Sequence, residues 1–87
     1  MSTLNAKIYV TLKREVLDPQ GDAVRRALTG MELGDVRDVR IGKLIEVELG
    51  VDEANEAARV HAETQLQAMC ERLLANPVIE EFRVEIV

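Results

Sequence analysis

The single histidine, the single cysteine and a scatter of carboxylates are the groups from which catalysis or metal binding would be built in this 87-residue chain. His61 falls mid-helix among Ala57, Thr64 and Gln65, with no second histidine and no cysteine pair in reach. Neither a metal site nor a nucleophile–base pair assembles from that pattern. Cys70 has no partner for an intrachain disulfide, and one thiol with one histidine falls short of the four ligands of a structural zinc site. A reducing compartment fits. Glu46, Glu48, Glu80, Glu81 and Glu85 would suit paired acid–base work, but they occupy the alternate polar positions of strand-like runs. A solvated sheet face accounts for them, with Lys7, Lys13, Arg40 and Arg83 as opposite charges and each cross-strand pair worth about 0.2–1 kcal/mol.

Two further spots carry chemical interest. In LDPQG, a strand gives way to a helix whose free N-terminal amides attract anions. One glycine is no phosphate-cradling loop, however, and Asp18 puts a carboxylate where a phosphate would sit, so Asp18 reads as the helix cap with Pro19 just inside. Lys43 stands in an apolar phase beside Gly42, where an unpaired buried ammonium is costly. Either a bend lifts it out or a partner receives it.

The elements that would position these groups follow from periodicity. Residues 6–13 alternate Ile8, Val10 and Leu12 against Lys7, Tyr9 and Thr11, a strand with one buried face. A helix runs from Pro19 to about Thr29 with Ala23, Val24, Ala27, Leu28 and Met31 at helical spacing, ended by Gly30 or Gly34. In VRDVRIGKLIEVEL, residues 36–49, the apolar positions Val39, Ile41, Ile45, Val47 and Leu49 keep one phase through the Gly42–Lys43 step. Two solutions are in phase. A hairpin with a loop of Gly42, Lys43 and Leu44 pairs Ile41 with Ile45, Arg40 with Glu46 and Val39 with Val47. One continuous strand of fourteen residues spans about 46 Å and overshoots a globule about 30 Å across, so it would project into another subunit. A second helix opens at Gly50 and Asp52 and carries Ala54, Ala58, Ala62, Leu66, Met69 and Leu73 to about Ala75, where Asn76 and Pro77 stop it. Phe82, Val84 and Ile86 mark the last strand.

Strands with one apolar face each, and two amphipathic helices, predict a single α+β domain over residues 1–87. It is a two-layer sandwich with both helices on one face of an antiparallel sheet, related to the ferredoxin-like arrangement, β-α-β(β)-α-β. A chain this short buries only about two thirds of its unfolded surface, which favours oligomerisation. The net charge of −5 opposes binding to nucleic acid and to anionic membrane. One Tyr and one Phe supply no row of rings on which bases could stack. With no apolar run near the ~20 residues of a membrane span and no secretion leader in MSTLNAKIYV, the chain reads as cytoplasmic.

Three segments in order, VTLKREVLDPQGDAVRRAL (10–28), VRDVRIGKLIEVEL (36–49) and LLANPVIEEFRVEI (73–86), closely resemble the PurS family, the small subunit of phosphoribosylformylglycinamidine synthase. The resemblance implies a subunit of a glutamine-dependent, ATP-consuming C–N ligase of purine biosynthesis, with no catalytic residue and no cofactor on this chain. Formylglycinamide ribonucleotide, glutamine and ATP would become formylglycinamidine ribonucleotide, ADP, phosphate and glutamate. The partners implied are a second copy of the chain, the large synthase subunit carrying ATP and Mg, and a glutamine amidotransferase subunit. The role implied is to bridge the two enzymes and support ammonia transfer. Carried onto this sequence, the motif positions are Lys13, Asp18, Gln20 and Gly21; Gly42 and Lys43; and Asn76, Pro77 and Glu80, with conformational or interfacial roles. The rivals are an ACT-like regulatory module, which shares the strand and helix order and binds ligands at dimer interfaces, and an acylphosphatase-like hydrolase. The hydrolase needs an arginine-bearing anion loop where LDPQG places Asp18.

Overall fold

A computed structural model describes all 87 residues, in the order β1 (Ser2–Leu12), α1 (Pro19–Gly30), β2 (Gly42–Val51), α2 (Glu56–Met69) and β3 (Glu80–Ile86). The three strands form one antiparallel sheet in the order β2-β1-β3. β1 is central because it alternates most regularly: Ala6, Ile8 and Val10 point into the core, while Lys7 and Tyr9 point away. It starts at Ser2, earlier than its apolar pattern suggests, because Ser2 to Leu4 pair with Val51 to Leu49.

The core is the contact between that strand and α2. Ala62, Leu66 and Cys70, four residues apart along one helical stripe, are fully buried with Ile8 and Val10, and Ala6, Ala75 and Ile86 complete the core. Helix α2 is capped by Asn55, whose side chain accepts the Ala58 N–H at 2.9 Å, so it begins later than Gly50 and Asp52 suggest. Those two residues close and follow β2. After Met69 the helix widens into a π turn over Cys70–Leu74, ending where the Ala75 N–H donates to the Cys70 carbonyl at 3.0 Å. Ala75 is extended and ends the helical run, with Asn76 and Pro77 following it.

Two expectations change. Residues 36–49 form neither a hairpin nor one fourteen-residue strand. The strand starts at Gly42, and residues 33–41 lead into it without regular structure. Ile45, Glu46 and Val47 pair with Ile8, Lys7 and Ala6 rather than with Ile41, Arg40 and Val39. The cause lies outside the segment: the Ile41 N–H donates to Asp18, and the Arg40 guanidinium donates to two carbonyls of the loop after β1. Helix α1 is the second change. It runs through Gly30, and the left-handed residue behind it is Glu32 (φ 56°), not Gly30. Of its residues only Gly21 is buried, and none joins the core, so α2 alone covers the apolar sheet face. The molecule is accordingly long, 52 × 27 × 15 Å, with a radius of gyration of 17.0 Å against about 12 Å for a compact chain of this length.

Candidate functional site

In an antiparallel sheet ordered β2-β1-β3, the end of β1 lies beside the starts of both neighbours, so the three sequence motifs meet at one end. A groove of about 270 Å³ opens there. Asp18, Gln20, Gly42, Lys43 and Glu80 line it over an apolar floor of Val10, Leu12 and Ile41. Of the other four candidates, Lys13 and Asn76 bond into the turn before β3, Gly21 lies in the first turn of α1, and Pro77 follows Asn76.

Asp18 is the organiser. Its Oδ1 accepts the Gly21 N–H at 2.9 Å as the cap of α1, and its Oδ2 accepts the Ile41 N–H at 2.7 Å. Asp18 is buried, and the Gly21 amide first and the Ile41 amide second hold its carboxyl below the usual aspartate value, against the opposing effect of burial, with the Arg40 charge adding to the lowering. Gly21 has no room for a side chain, because a Cβ there would run into the Val39 carbonyl oxygen. Gly42 is similarly confined, its Cβ position lying 2.5 Å from the Val10 carbonyl oxygen and 2.8 Å from Thr11. Both glycines therefore permit close approach of backbone to backbone.

The third motif is a turn that fixes itself. The Asn76 N–H donates to Glu80 Oε1 at 2.7 Å, the Glu80 N–H donates back to the Asn76 carbonyl at 2.7 Å, and Asn76 Oδ1 accepts the Val78 N–H at 3.1 Å. Lys13 joins the turn to β1 by donating its N–H to the Ile79 carbonyl at 2.9 Å. Glu80 stands opposite Leu12, in phase with Phe82, Val84 and Ile86, so it does not belong to the charged face with Glu81 and Glu85. Lys13 and Arg40 do not belong to it either, since neither lies in a strand. What remains of that face is Lys7 between Glu46 and Glu85, Glu48 opposite Asn5, Glu81 opposite Thr11, and Arg83 stacked 4.2 Å from the Tyr9 ring centroid.

Arg40 was missed as a site residue. Its Nη2 donates to the Lys13 carbonyl at 2.9 Å and the Val16 carbonyl at 3.0 Å. Only its place beside Ile41 in the second motif could have singled it out. Lys43 is exposed at a position opposite Val10, on the helix-covered side of the sheet, and makes no salt bridge. It is the one charged side chain in the groove without a partner in the chain. His61 lies on the exposed side of α2, well along the chain from all three motifs.

The arrangement positions backbone and presents surface; no nucleophile stands beside a base. Against known proteins, the model of the family described as "PurS: Phosphoribosylformylglycinamidine (FGAM) synthase" matches residues 5–87. The chain belongs to the PurS family. The PurS subunit of phosphoribosylformylglycinamidine synthase from Bacillus subtilis is 46% identical over 80 residues, covering 92% of this chain and 88% of that one. A crystal structure of B. subtilis PurS superposes with a TM-score of 0.78 at 43% identity, covering 97% and 98% of the two chains. A chain from the structure of PurLQS from Thermotoga maritima reaches 0.85 at 30% identity over the full length of both. The fold of this PurS-family chain is thus the family's α+β fold, and the three motifs that gather at one sheet end are those on which the resemblance rests.

Proposed function

We propose that this chain is the small, non-catalytic subunit of phosphoribosylformylglycinamidine synthase in purine biosynthesis. In this reading it fixes the large synthase subunit and the glutamine amidotransferase subunit in register, so that ammonia released from glutamine reaches the amidine-forming site without escaping to water. ATP and Mg²⁺ belong to the large subunit, and the chain itself works as a homodimer.

The observation that carries the proposal is that the motif residues are occupied with backbone. Asp18, Gly21, Asn76 and Glu80 each hold or accommodate main chain, and together they give a rigid sheet end with Lys43 displayed. A subunit that scaffolds needs such a surface; one that catalyses needs a reactive group. The T. maritima relative superposes as a chain of PurLQS, which supports membership of an assembly.

Assembly tests it. The large subunit and the amidotransferase, mixed with glutamine and Mg-ADP, are expected to co-elute from a sizing column only when this chain is added. Co-elution to the same extent without it would overturn the bridging role.

A further inference from the structure

β3 is an edge strand of the sheet, and the phase of its hydrogen bonds says which of its main-chain groups are free. The Lys13 N–H donates to the Ile79 carbonyl and the Val87 N–H to the Asn5 carbonyl, so Glu81, Arg83 and Glu85 between them turn their main chain toward β1. The alternate residues turn theirs outward. At the two ends these outward groups are taken: the Glu80 N–H donates to the Asn76 carbonyl at 2.7 Å, and the Ile86 carbonyl accepts from Arg59 Nη2 at 3.3 Å. In the middle, the N–H and C=O of Phe82 and Val84 have no partner in the chain. No proline, lysine or bulge guards this stretch, whose register is unbroken from Glu80 to Ile86. Such an edge is a template for an added strand.

The charges and the occupied ends decide what that strand is. A second copy of β3, paired about a two-fold axis, must place one residue opposite itself. Glu81, Arg83 or Glu85 in that place opposes like charges. Phe82 there needs the Glu80 N–H that Asn76 holds, and Val84 there needs the Ile86 carbonyl that Arg59 covers. A strand of another protein is free of that symmetry and fits the window between the two ends. On the open face of the sheet it meets Glu81 and Glu85 on either side of Arg83, whose guanidinium is already stacked on Tyr9 and 3.6 Å from Glu85. Glu81 stands opposite Thr11 and makes no salt bridge. On the helix-covered face the strand meets Phe82 and Val84, both half-buried. The complementary order is therefore cation, apolar, neutral, apolar, cation.

We infer that the outer edge of β3 receives an extended segment of another protein, with Lys or Arg beside Glu81 and Glu85 and apolar residues beside Phe82 and Val84. This assigns a surface beyond the bridging role and is tested independently of it. The probe is the end-blocked peptide TKVTVKT, whose sequence reads the same in both directions, added to the full isotope-labelled chain. NMR shifts are expected to centre on the amides of residues 80–86, and the Phe82 and Val84 amides to exchange more slowly with deuterium once the peptide is bound. The acidic peptide TEVTVET is expected to bind at least about tenfold more weakly. Val84→Pro removes an outward N–H and spares the ladder to β1, so it is expected to keep the native circular dichroism and lose the peptide. Glu81→Lys breaks no ion pair within the chain and is expected to cut the preference for TKVTVKT over TEVTVET at least about threefold. No binding, shifts spread over other surfaces, or equal affinity for the two peptides would overturn the inference. Phe82 and Val84 amides that are protected in a concentration-dependent way without peptide would assign the edge to a second copy and overturn it as well.

Discussion

The Asp18 carboxylate accepts the backbone N–H of Ile41 at 2.7 Å, across 23 residues of sequence, while its other oxygen caps α1 at Gly21. One side chain thereby sets where α1 leaves β1 and where β2 enters the sheet. Helix α1 itself contributes no residue to the core. An elongated protomer with a fixed sheet end is the result.

Replacing Asp18 separates its two tasks. Asp18→Ala removes both hydrogen bonds and is expected to lower Tm by about 5–10 °C, for a domain of this size with a lost cap and a lost tether. Asp18→Asn keeps one oxygen for Gly21 but turns an amide toward the Ile41 N–H, so a loss about half as large is expected. Thermal unfolding followed by circular dichroism checks both.

The same carboxylate makes an acid prediction. Its folded value lies below the ordinary 3.8 because two amides stabilise the charged form. Its contribution is therefore complete above that ordinary value and is lost as the pH falls through the lowered folded value. Urea midpoints between pH 6 and pH 2 are expected to fall below about pH 4, and to fall less steeply in Asp18→Asn. Equal slopes would contradict the assignment.

Gly21→Ala drives a methyl into the Val39 carbonyl and is expected to destabilise by about 1–3 kcal/mol, as overpacking does. Gly30→Ala, where nothing lies within contact, is expected to be neutral or stabilising. Denaturant midpoints of the pair separate the close backbone approach from a general intolerance of α1 to alanine.

Leu66 is fully buried between α2 and β1 in a core of eight residues. Leu66→Ala is expected to cost about 2–5 kcal/mol and to leave the isolated chain partly unfolded at 37 °C. Cys70, equally buried, has its thiol pushed up by burial and then by Glu71, so alkylation in the native state is expected to be slow and to accelerate on unfolding.

Lys43→Met removes an exposed, unpaired ammonium. Stability is expected to change by less than about 0.5 kcal/mol, while glutamine-dependent synthesis in the assembled complex falls at least threefold. A loss of stability instead would make Lys43 a structural residue.

Much of this was legible in local sequence. Asp18 before Pro19 announces its cap, Asn76 and Pro77 announce the end of the second helix, and the alternation of Ile8 and Val10 announces a half-buried strand, because each signal is read within a few residues. The failures are non-local. Val39 and Ile41 keep the phase of β2, yet a carboxylate 23 residues earlier takes the Ile41 amide and ends the ladder at Gly42. Val24, Leu28 and Met31 make a proper helical stripe, but amphipathicity does not say which surface the stripe meets. Glu80 looks like one more solvated carboxylate until the turn it closes at Asn76 is seen. Family resemblance supplied the candidate positions, and the geometry shows which backbone groups Asp18, Gly21 and Glu80 each meet.

The central claim is that this chain couples two enzymes and performs no chemistry itself. The direct measurement is synthesis of formylglycinamidine ribonucleotide by the large subunit and amidotransferase, with and without the chain, using either glutamine or ammonia as nitrogen donor. The account predicts that the glutamine reaction requires the chain and that the ammonia reaction runs without it. A glutamine reaction of equal rate in its absence would contradict the account.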